Sequence, residues 1–147
     1  MILKFNISDF NKTLIDKIIE IEKQSEYSHW TKQMFLDEYK NKFSVFKIIK
    51  KDNQIIGFII YRIVFDEAEI LDIVIDKNFR GIKAGKYILN FAIKDIKEKN
   101  CNVIFLEVHQ NNIVAQNLYK NAGFKQYSLR EKYYNNSSNA LLMKLNF

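Results

Sequence analysis

The sequence predicts a mixed α/β fold: one mostly antiparallel sheet of six or seven strands, with a parallel β-α-β unit at its centre and helices on both faces. Three observations carry this expectation. The β-rich runs 43–51 and 54–65 are separated only by Asp52-Asn53, a dipeptide suited to the positive φ angles of a tight antiparallel hairpin. A segment from 81 to about 99 shows Ala84, Ile88, Phe91, Ala92 and Ile96 at helical spacing between two strand-like runs, 69–76 and 102–109. The second of those runs has the unbroken apolar centre Val103-Ile104-Phe105-Leu106, the pattern of a strand covered on both faces and paired in parallel.

The remaining elements follow in order. Residues 2–7 read as a first strand, and Ser8 or Asp9 as the cap of a helix carrying Leu14, Ile15, Ile18, Ile19 and Glu22 at helical spacing. Thr31 is the expected cap of a second helix, with Trp30 packed on Phe35 as a hydrophobic staple. Asn112 caps a last helix that ends at Gly123. The alternating segments 127–134 and 139–147 close the chain as a hairpin around Asn135-Asn136-Ser137-Ser138.

With 147 residues and 48% hydrophobic content, the chain is expected to fold as a single domain over 1–147. Cys101 is the only cysteine, so no intrachain disulfide can form, and residues 1–10 lack the apolar core of a signal peptide. A cytoplasmic location is expected. The longest apolar stretch, 55–61, is far shorter than the roughly 20 residues of a membrane-spanning helix, so no membrane association is expected. The net charge of +6 favours an anionic partner, which charge alone leaves open between nucleic acid, a membrane surface and a phosphate-rich small ligand. An aromatic content of 14% could serve base stacking, but Phe5, Phe43, Phe46, Phe58 and Phe65 sit in strand patterns that read as core.

The segment Ile73-Val74-Ile75-Asp76-Lys77-Asn78-Phe79-Arg80-Gly81-Ile82-Lys83-Ala84-Gly85-Lys86 runs from a strand through a basic, glycine-containing loop into a helix. Backbone N–H groups at a helix start have no internal partner, and the helix dipole adds positive potential, so this context binds phosphate oxygens. The glycine spacing and Tyr87 exclude a P-loop, and the glycine pattern is not that of a dinucleotide fingerprint. The bland alternative is a tight turn with Arg80, Lys83 and Lys86 solvated.

A second element narrows the choice. Leu106-Glu107-Val108 leads into Asn112, Ala115 and Tyr119 and then Gly123-Phe124. Together the two segments resemble the GNAT superfamily of N-acetyltransferases, whose pyrophosphate loop reads Arg/Gln-x-x-Gly-x-Gly/Ala and whose later segment reads Asn-x-x-Ala-x-x-x-Tyr-x-x-x-Gly-Phe. The later pattern matches in full, whereas the loop matches at Arg80 and Gly85 and carries Lys83 where glycine is usual. Within the superfamily the chain is similar to bacterial enzymes that acetylate the N-terminal alanine of a ribosomal protein. That likeness rests on Trp30 with Phe35 and Glu38, the run Glu67 to Ile73, the strand Leu106-Glu107-Val108, and Arg130 with Tyr133-Tyr134.

The resemblance implies acetyl-CoA as cosubstrate, held by Ile73, Val74, Ile75, Arg80, Gly81, Ile82, Lys83, Ala84, Gly85, Lys86, Asn112 and Tyr119, with no metal. It implies Glu107 as base and Tyr119 as acid. These assignments suit the chemistry, because thioester aminolysis needs an amine stripped of its proton, a group to stabilise the oxyanion, and a proton for the departing thiolate. Glu107 interrupts an apolar strand, where a charge is costly unless it serves or is paired, although an ion pair holding the sheet is the structural alternative. Tyr119 is a phenol protonated at neutral pH, and without the motif it reads as a core aromatic. Acceptor contacts are expected from Trp30, Glu69, Tyr133 and Tyr134. Asp66, Glu67 and Glu69 could attract a cationic amine or could form a solvated turn, and His109 is expected to be structural or solvent-facing. The expected acceptor is a protein N-terminus, with a ribosomal protein as the candidate. A small amine is the alternative, and a basic RNA- or ribosome-binding module without catalysis is a third reading. No direct nucleic-acid binding is expected, and the oligomeric state is expected to be a monomer or weak dimer.

Overall fold

The computed structural model describes residues 4–131 and 138–147. The chain runs β1 (Phe5–Asp9), a 3₁₀ turn (Lys12–Leu14), α1 (Ile15–Glu22), α2 (Lys32–Lys40), β2 (Ser44–Lys51), β3 (Gln54–Val64) and β4 (Glu67–Ile75). A second 3₁₀ turn (Lys77–Phe79) leads to α3 (Ala84–Glu98), β5 (Val103–His109), α4 (Ile113–Asn121), β6 (Lys125–Arg130) and β7 (Ala140–Asn146). The strands form one seven-stranded sheet in the order β1-β2-β3-β4-β5-β7-β6. Every pairing is antiparallel except β4 with β5, which α3 joins as a crossover.

Helices cover both faces, as the sequence predicts. On one face α1 and α2 bring Ile15, Ile18, Ile21 and Phe35 against Phe46, Ile48, Phe58, Ile60 and Val74. On the other, α3 and α4 bring Ile88, Leu89, Ala92, Ile96 and Tyr119 against Ile59, Tyr61, Ile70, Ile104, Leu106 and Val108. The hairpin turn at Asp52-Asn53 takes the expected left-handed angles, φ 51° and 64°. Thr31 caps α2 by accepting from the Met34 N–H, and the Trp30 and Phe35 rings lie 5.3 Å apart, so the staple is present.

Several expectations need correction. β1 continues through Ser8 and Asp9, and the cap of the first helical segment is Asn11, whose side chain accepts from Thr13 N. α3 begins at Ala84, because Gly81 and Lys83 adopt φ of 80° and 68° and cannot continue a right-handed helix. Phe43 is 45% exposed and Phe65 93% exposed, so neither belongs to the core; Phe65 occupies the left-handed turn between β3 and β4. β5 is covered fully on one face only. Ile104, Leu106 and Val108 are buried under α3 and α4, whereas Val103, Phe105 and Glu107 on the opposite face are half-buried. The loop expected around residues 135–138 lies mostly outside the described residues.

Two irregularities shape β4. Its register on β3 slips between Ile60↔Asp72 and Tyr61↔Ile70, so Leu71 is bulged. A bulge bends its strand and increases local twist. Parallel pairing with β5 runs from Glu67↔Val103 to Ile70↔Leu106 and stops there, at the bulge. Beyond that point β4 stays with β3, β5 stays with β7, and the sheet forks.

Gly57 on β3 fixes the β4 side of this fork. A Cβ there would stand 2.6 Å from both Val74 O and the Ile75 side chain, so the two strands approach closely only because Gly57 has none. Gly57→Ala is therefore expected to destabilise the protein by about 1–3 kcal/mol through overpacking, measured by urea denaturation.

Candidate active site

Two cavities meet in the fork. One, of about 610 Å³, lies on the α3/α4 side between Ile73, Val74, Ile75, the 79–86 loop and the start of α4. The other, of about 310 Å³, lies between Trp30, Met34, Leu71, Asp72, Glu107 and His109. Tyr119, Asn112, Ala115, Ile73, Ser25 and Tyr27 line both, so the cavities share a wall that carries two phenols, Tyr119 on α4 and Tyr27.

The larger cavity has the chemistry of a polyanion site. Arg80, Lys83 and Lys86 line it together with Gly81, Ala84 and Gly85. Arg80 is tied by its Nε, which donates to Ile75 O at 3.2 Å, and this holds the loop against the end of β4. Lys83 is the N-cap residue of α3 yet supplies no side-chain cap, leaving the first N–H groups of the helix to a ligand. Its left-handed φ of 68° explains how a lysine stands where the family pattern has glycine: the backbone keeps the glycine-like turn and bears the Cβ strain, of order 1–2 kcal/mol. Ile82, also expected at this site, is half-buried and packs against the α3/α4 core instead of lining the cavity.

The opposite wall is the start of α4. Asn112 caps it as expected, its Oδ1 accepting from Ala115 N at 3.2 Å. Gln116 then pins the helix to β5, its Nε2 donating to His109 O at 3.2 Å and Gln110 O at 2.8 Å. This fixes Tyr119, which is 5% exposed and 5.8 Å ring to ring from Phe124. Burial, and after it the Asp72 carboxylate, push the phenol pKa well above its ordinary value. The hydroxyl therefore keeps its proton throughout the neutral range.

In the smaller cavity Glu107 alternates along β5 with Leu106 and Val108, which face α3 and α4, so its carboxyl lies on the α1/α2 face. There Arg130 on β6 binds it at 2.9 Å. The ion pair foreseen as the structural alternative thus exists at the same residue. Glu69, expected at the acceptor site, is exposed on the neighbouring strand β4 and lines neither cavity; desolvation, then the Glu107 carboxylate, raise its pKa, and Arg62 and Arg130 offset part of the shift. Arg62 is itself held by Glu38 on α2, its Nε donating at 2.7 Å. Desolvation opposes ionisation of Glu38, but hydrogen bonds from Arg62 and Ser44 outweigh it and lower the Glu38 pKa. A row of charges therefore crosses the sheet from α2 to β6, with the adjacent acids Glu69 and Glu107 flanked by Arg62 and Arg130. Asp66 and Glu67 do not join them: Asp66 turns to Asn102 at the far end of β4, accepting from Asn102 Nδ2 at 3.0 Å.

Trp30 packs on Phe35 as a staple and also lines the smaller cavity. Tyr133 and Tyr134 lie outside the described residues. His109 is buried rather than solvent-facing, its Nδ1 accepting from Asn111 N at 3.0 Å. The sequence reading missed Tyr27, Ser28, Met34 and Asp72 as wall residues. Only Asp72 carried a signal, a carboxylate inside the apolar run Ile70-Leu71-Asp72-Ile73. Among the described residues no group of three or more His, Cys, Asp or Glu side chains could hold a metal ion, and no helix is long and apolar enough to cross a membrane.

The sequence model of the acetyltransferase (GNAT) family matches residues 15–124. A Bacillus subtilis protein provisionally named a [ribosomal protein bS18]-alanine N-acetyltransferase is 37% identical over 131 residues, covering 88% of this chain and 87% of its own. The [ribosomal protein bS18]-alanine N-acetyltransferase of Haemophilus ducreyi is 31% identical over 141 residues, covering 93% of each chain. The fold matches that of the Escherichia coli ribosomal-protein-S18-alanine N-acetyltransferase with a TM-score of 0.90 at 23% identity, over 97% of this chain and 94% of the other.

Two measurements check the electrostatics and the loop. In Glu107→Gln, loss of the neighbouring negative charge is expected to lower the pH at which Glu69 titrates, followed by carboxyl NMR; an unchanged midpoint contradicts the coupling. Lys83→Gly, which relieves the left-handed strain, is expected to raise stability by about 1 kcal/mol in urea denaturation.

Proposed function

The chain belongs to the acetyltransferase (GNAT) family, and from this we propose that it acetylates the N-terminal α-amine of a protein at the expense of acetyl-CoA, with the alanine of a ribosomal protein as acceptor. The single observation that carries the reading is the position of Tyr119, shared by a basic cavity on one side of the fork and a carboxylate-lined cavity on the other. The names of the relatives support the acceptor, since they act on the alanine of ribosomal protein bS18.

Arg80, Lys83, Lys86 and the free N–H groups at the start of α3 suit the pyrophosphate of CoA. The open edge of β4 over Ile73-Val74-Ile75 offers backbone groups to the amides of the pantetheine arm, which extends β4 where β5 has turned away. The thioester then reaches Tyr119. Asn112 caps α4 beside it and offers its side chain to the same arm.

The acceptor arrives from the α1/α2 face, past Trp30 and Glu69. Glu107 takes the proton of the ammonium, directly or through a water, and frees the nitrogen lone pair. The nitrogen bonds to the thioester carbon, an N–H of the β4 edge steadies the charge developing on oxygen, the nitrogen releases its second proton to solvent, and the carbon–sulfur bond breaks. Tyr119 donates its hydroxyl hydrogen to the departing sulfur. Because the Tyr119 site disfavours phenolate, the phenol regains a proton promptly after the thiol leaves.

Incubation with acetyl-CoA and short peptides beginning with alanine, serine or lysine, read by release of free thiol, tests the reading. Alanine peptides are expected to turn over fastest. Thiol release with small amines but with none of the peptides sinks the protein-acceptor assignment, and no release with either sinks the activity. Glu107→Gln and Tyr119→Phe are each expected to lower kcat by about 100-fold or more while acetyl-CoA binding is retained.

A further inference from the structure

Glu22 on α1 and Asp72 on β4 take no part in the chemistry above, yet both are almost wholly buried, 2% and 7% exposed. A carboxylate withdrawn from water is costly unless an opposite charge or several donors compensate it. Among the described residues neither group has an ion pair with a cation, and Glu22 Oε1 and Asp72 Oδ2 have no donor. Ser28 Oγ lies 3.2 Å from Glu22 Oε2 and 3.1 Å from Asp72 Oδ1. A hydroxyl has one hydrogen, so Ser28 donates to only one of these oxygens; the other contact is a hydrogen bond only if that carboxyl is protonated and donates to Oγ. If the proton instead lies directly between the two carboxyls, it satisfies their orphaned oxygens. Both arrangements require one proton on the pair.

The pair secures the segment 25–30, which straps across the mouth of the fork. On the β4 side Ser28 bridges both carboxyls, and Trp30 N donates to Glu22 Oε2 at 3.4 Å. On the β5 side Tyr27 OH donates to Asn111 O at 3.3 Å, and its ring lies 4.8 Å from His109. Ser28, His29 and Trp30 wall the smaller cavity, and Ser25 and Tyr27 wall both. The strap is thus tied to each prong of the fork, and the tie to β4 depends on a proton.

We propose that Glu22 and Asp72 share one proton and act as positioning residues for acetyl transfer, holding the 25–30 strap in the shape that receives the acceptor amine. The inference rests on the assignment of the smaller cavity to the acceptor. The titratable groups that line the smaller cavity with Asp72 are Glu107 and His109 on β5, Tyr119 on α4, and Tyr27 and His29 on the strap. Glu107 and Tyr119 are negative when ionised and so favour retention of the proton. Burial, then the Glu22 carboxylate, hold Asp72 well above the usual carboxylate range. Loss of the proton puts two negative charges in a buried site where Ser28 can serve only one, and the backbone N–H groups of Ile73 at Asp72 and Trp30 at Glu22 offset only part of the cost. The folded protein keeps a proton that the unfolded chain releases, so this pair's contribution to stability is full below the ordinary aspartate value and declines as pH rises towards the raised native value.

Asp72→Asn tests the idea, because its amide donates to Glu22 at every pH and keeps the shape of the pair. The part of the alkaline fall in its kcat/KM for an alanine peptide caused by the shared proton is expected to disappear. Its Tm is expected to decline less with rising pH than that of the parent. Asp72→Leu, which removes the tie, is expected to raise KM for the peptide by about tenfold or more with acetyl-CoA binding altered far less. Identical pH profiles of Tm in the parent and Asp72→Asn overturn the shared proton, and an unchanged peptide KM in Asp72→Leu overturns the positioning role. The Tm comparison needs no turnover, so it decides the proton question even if no peptide is acetylated.

Discussion

Parallel pairing between β4 and β5 ends at Ile70↔Leu106 because Leu71 is bulged against β3, and from there the two strands follow different partners. A sheet interior normally leaves no backbone group unpaired, since an orphaned N–H or carbonyl in an apolar setting is costly. Here the far half of β4 keeps only one strand neighbour. The cost is tolerable because the exposed edge faces a cavity that water or an extended ligand can fill. Every other feature of the site follows from that separation: α4 enters from one face to supply Tyr119, Glu107 looks out on the other, and the strap at 25–30 spans the gap.

The carboxylates around the fork differ by environment rather than by type. Glu38 is ionised against Arg62 and Ser44 despite its burial, Glu107 is paired with Arg130 at a partly open rim, Glu69 is raised by desolvation and by Glu107, and Asp72 is raised by burial and Glu22. Such divergence in neighbouring acids is the arrangement that lets one group accept a proton while another retains it. Desolvation raises Glu69 and Asp72, whereas at Glu38 the hydrogen bonds from Arg62 and Ser44 outweigh it. Asp72, with no cation at hand, is the one that shares a proton with a second acid, Glu22.

Much of this was legible in the sequence where local rules act alone. The Asp52-Asn53 hairpin, the Thr31 and Asn112 caps and the Trp30–Phe35 staple all depend on residues a few positions apart, and all are present. Expectations that depended on long-range packing fared less well. The apolar run Val103-Ile104-Phe105-Leu106 pointed to burial on both faces, but α1 and α2 cover β2, β3 and β4 and leave that side of β5 half-open. Phe43 and Phe65 fit strand alternation yet fall at turns, where the period has no core to meet. The strap was illegible for a similar reason. Ser25, Tyr27 and Ser28 matter through contacts with Asp72 and Asn111, far away in the chain, and their identities carry no period.

The criterion that singled out Glu107, a charge inside an apolar strand, applies equally to Asp72, and the two outcomes show what the criterion measures. A buried acid announces a compensating group without saying which. At Glu107 the compensation is a guanidinium and partial access to solvent; at Asp72 it is a proton, a serine hydroxyl and a second acid on a helix 50 residues earlier. Glu22 could have completed the inference, since it is the one acid among Leu14, Ile15, Ile18 and Ile19 on the apolar stripe of α1. Two acids on two apolar faces that pack together cannot both remain ionised, so their coexistence in one core predicts a shared proton from sequence once the topology is known.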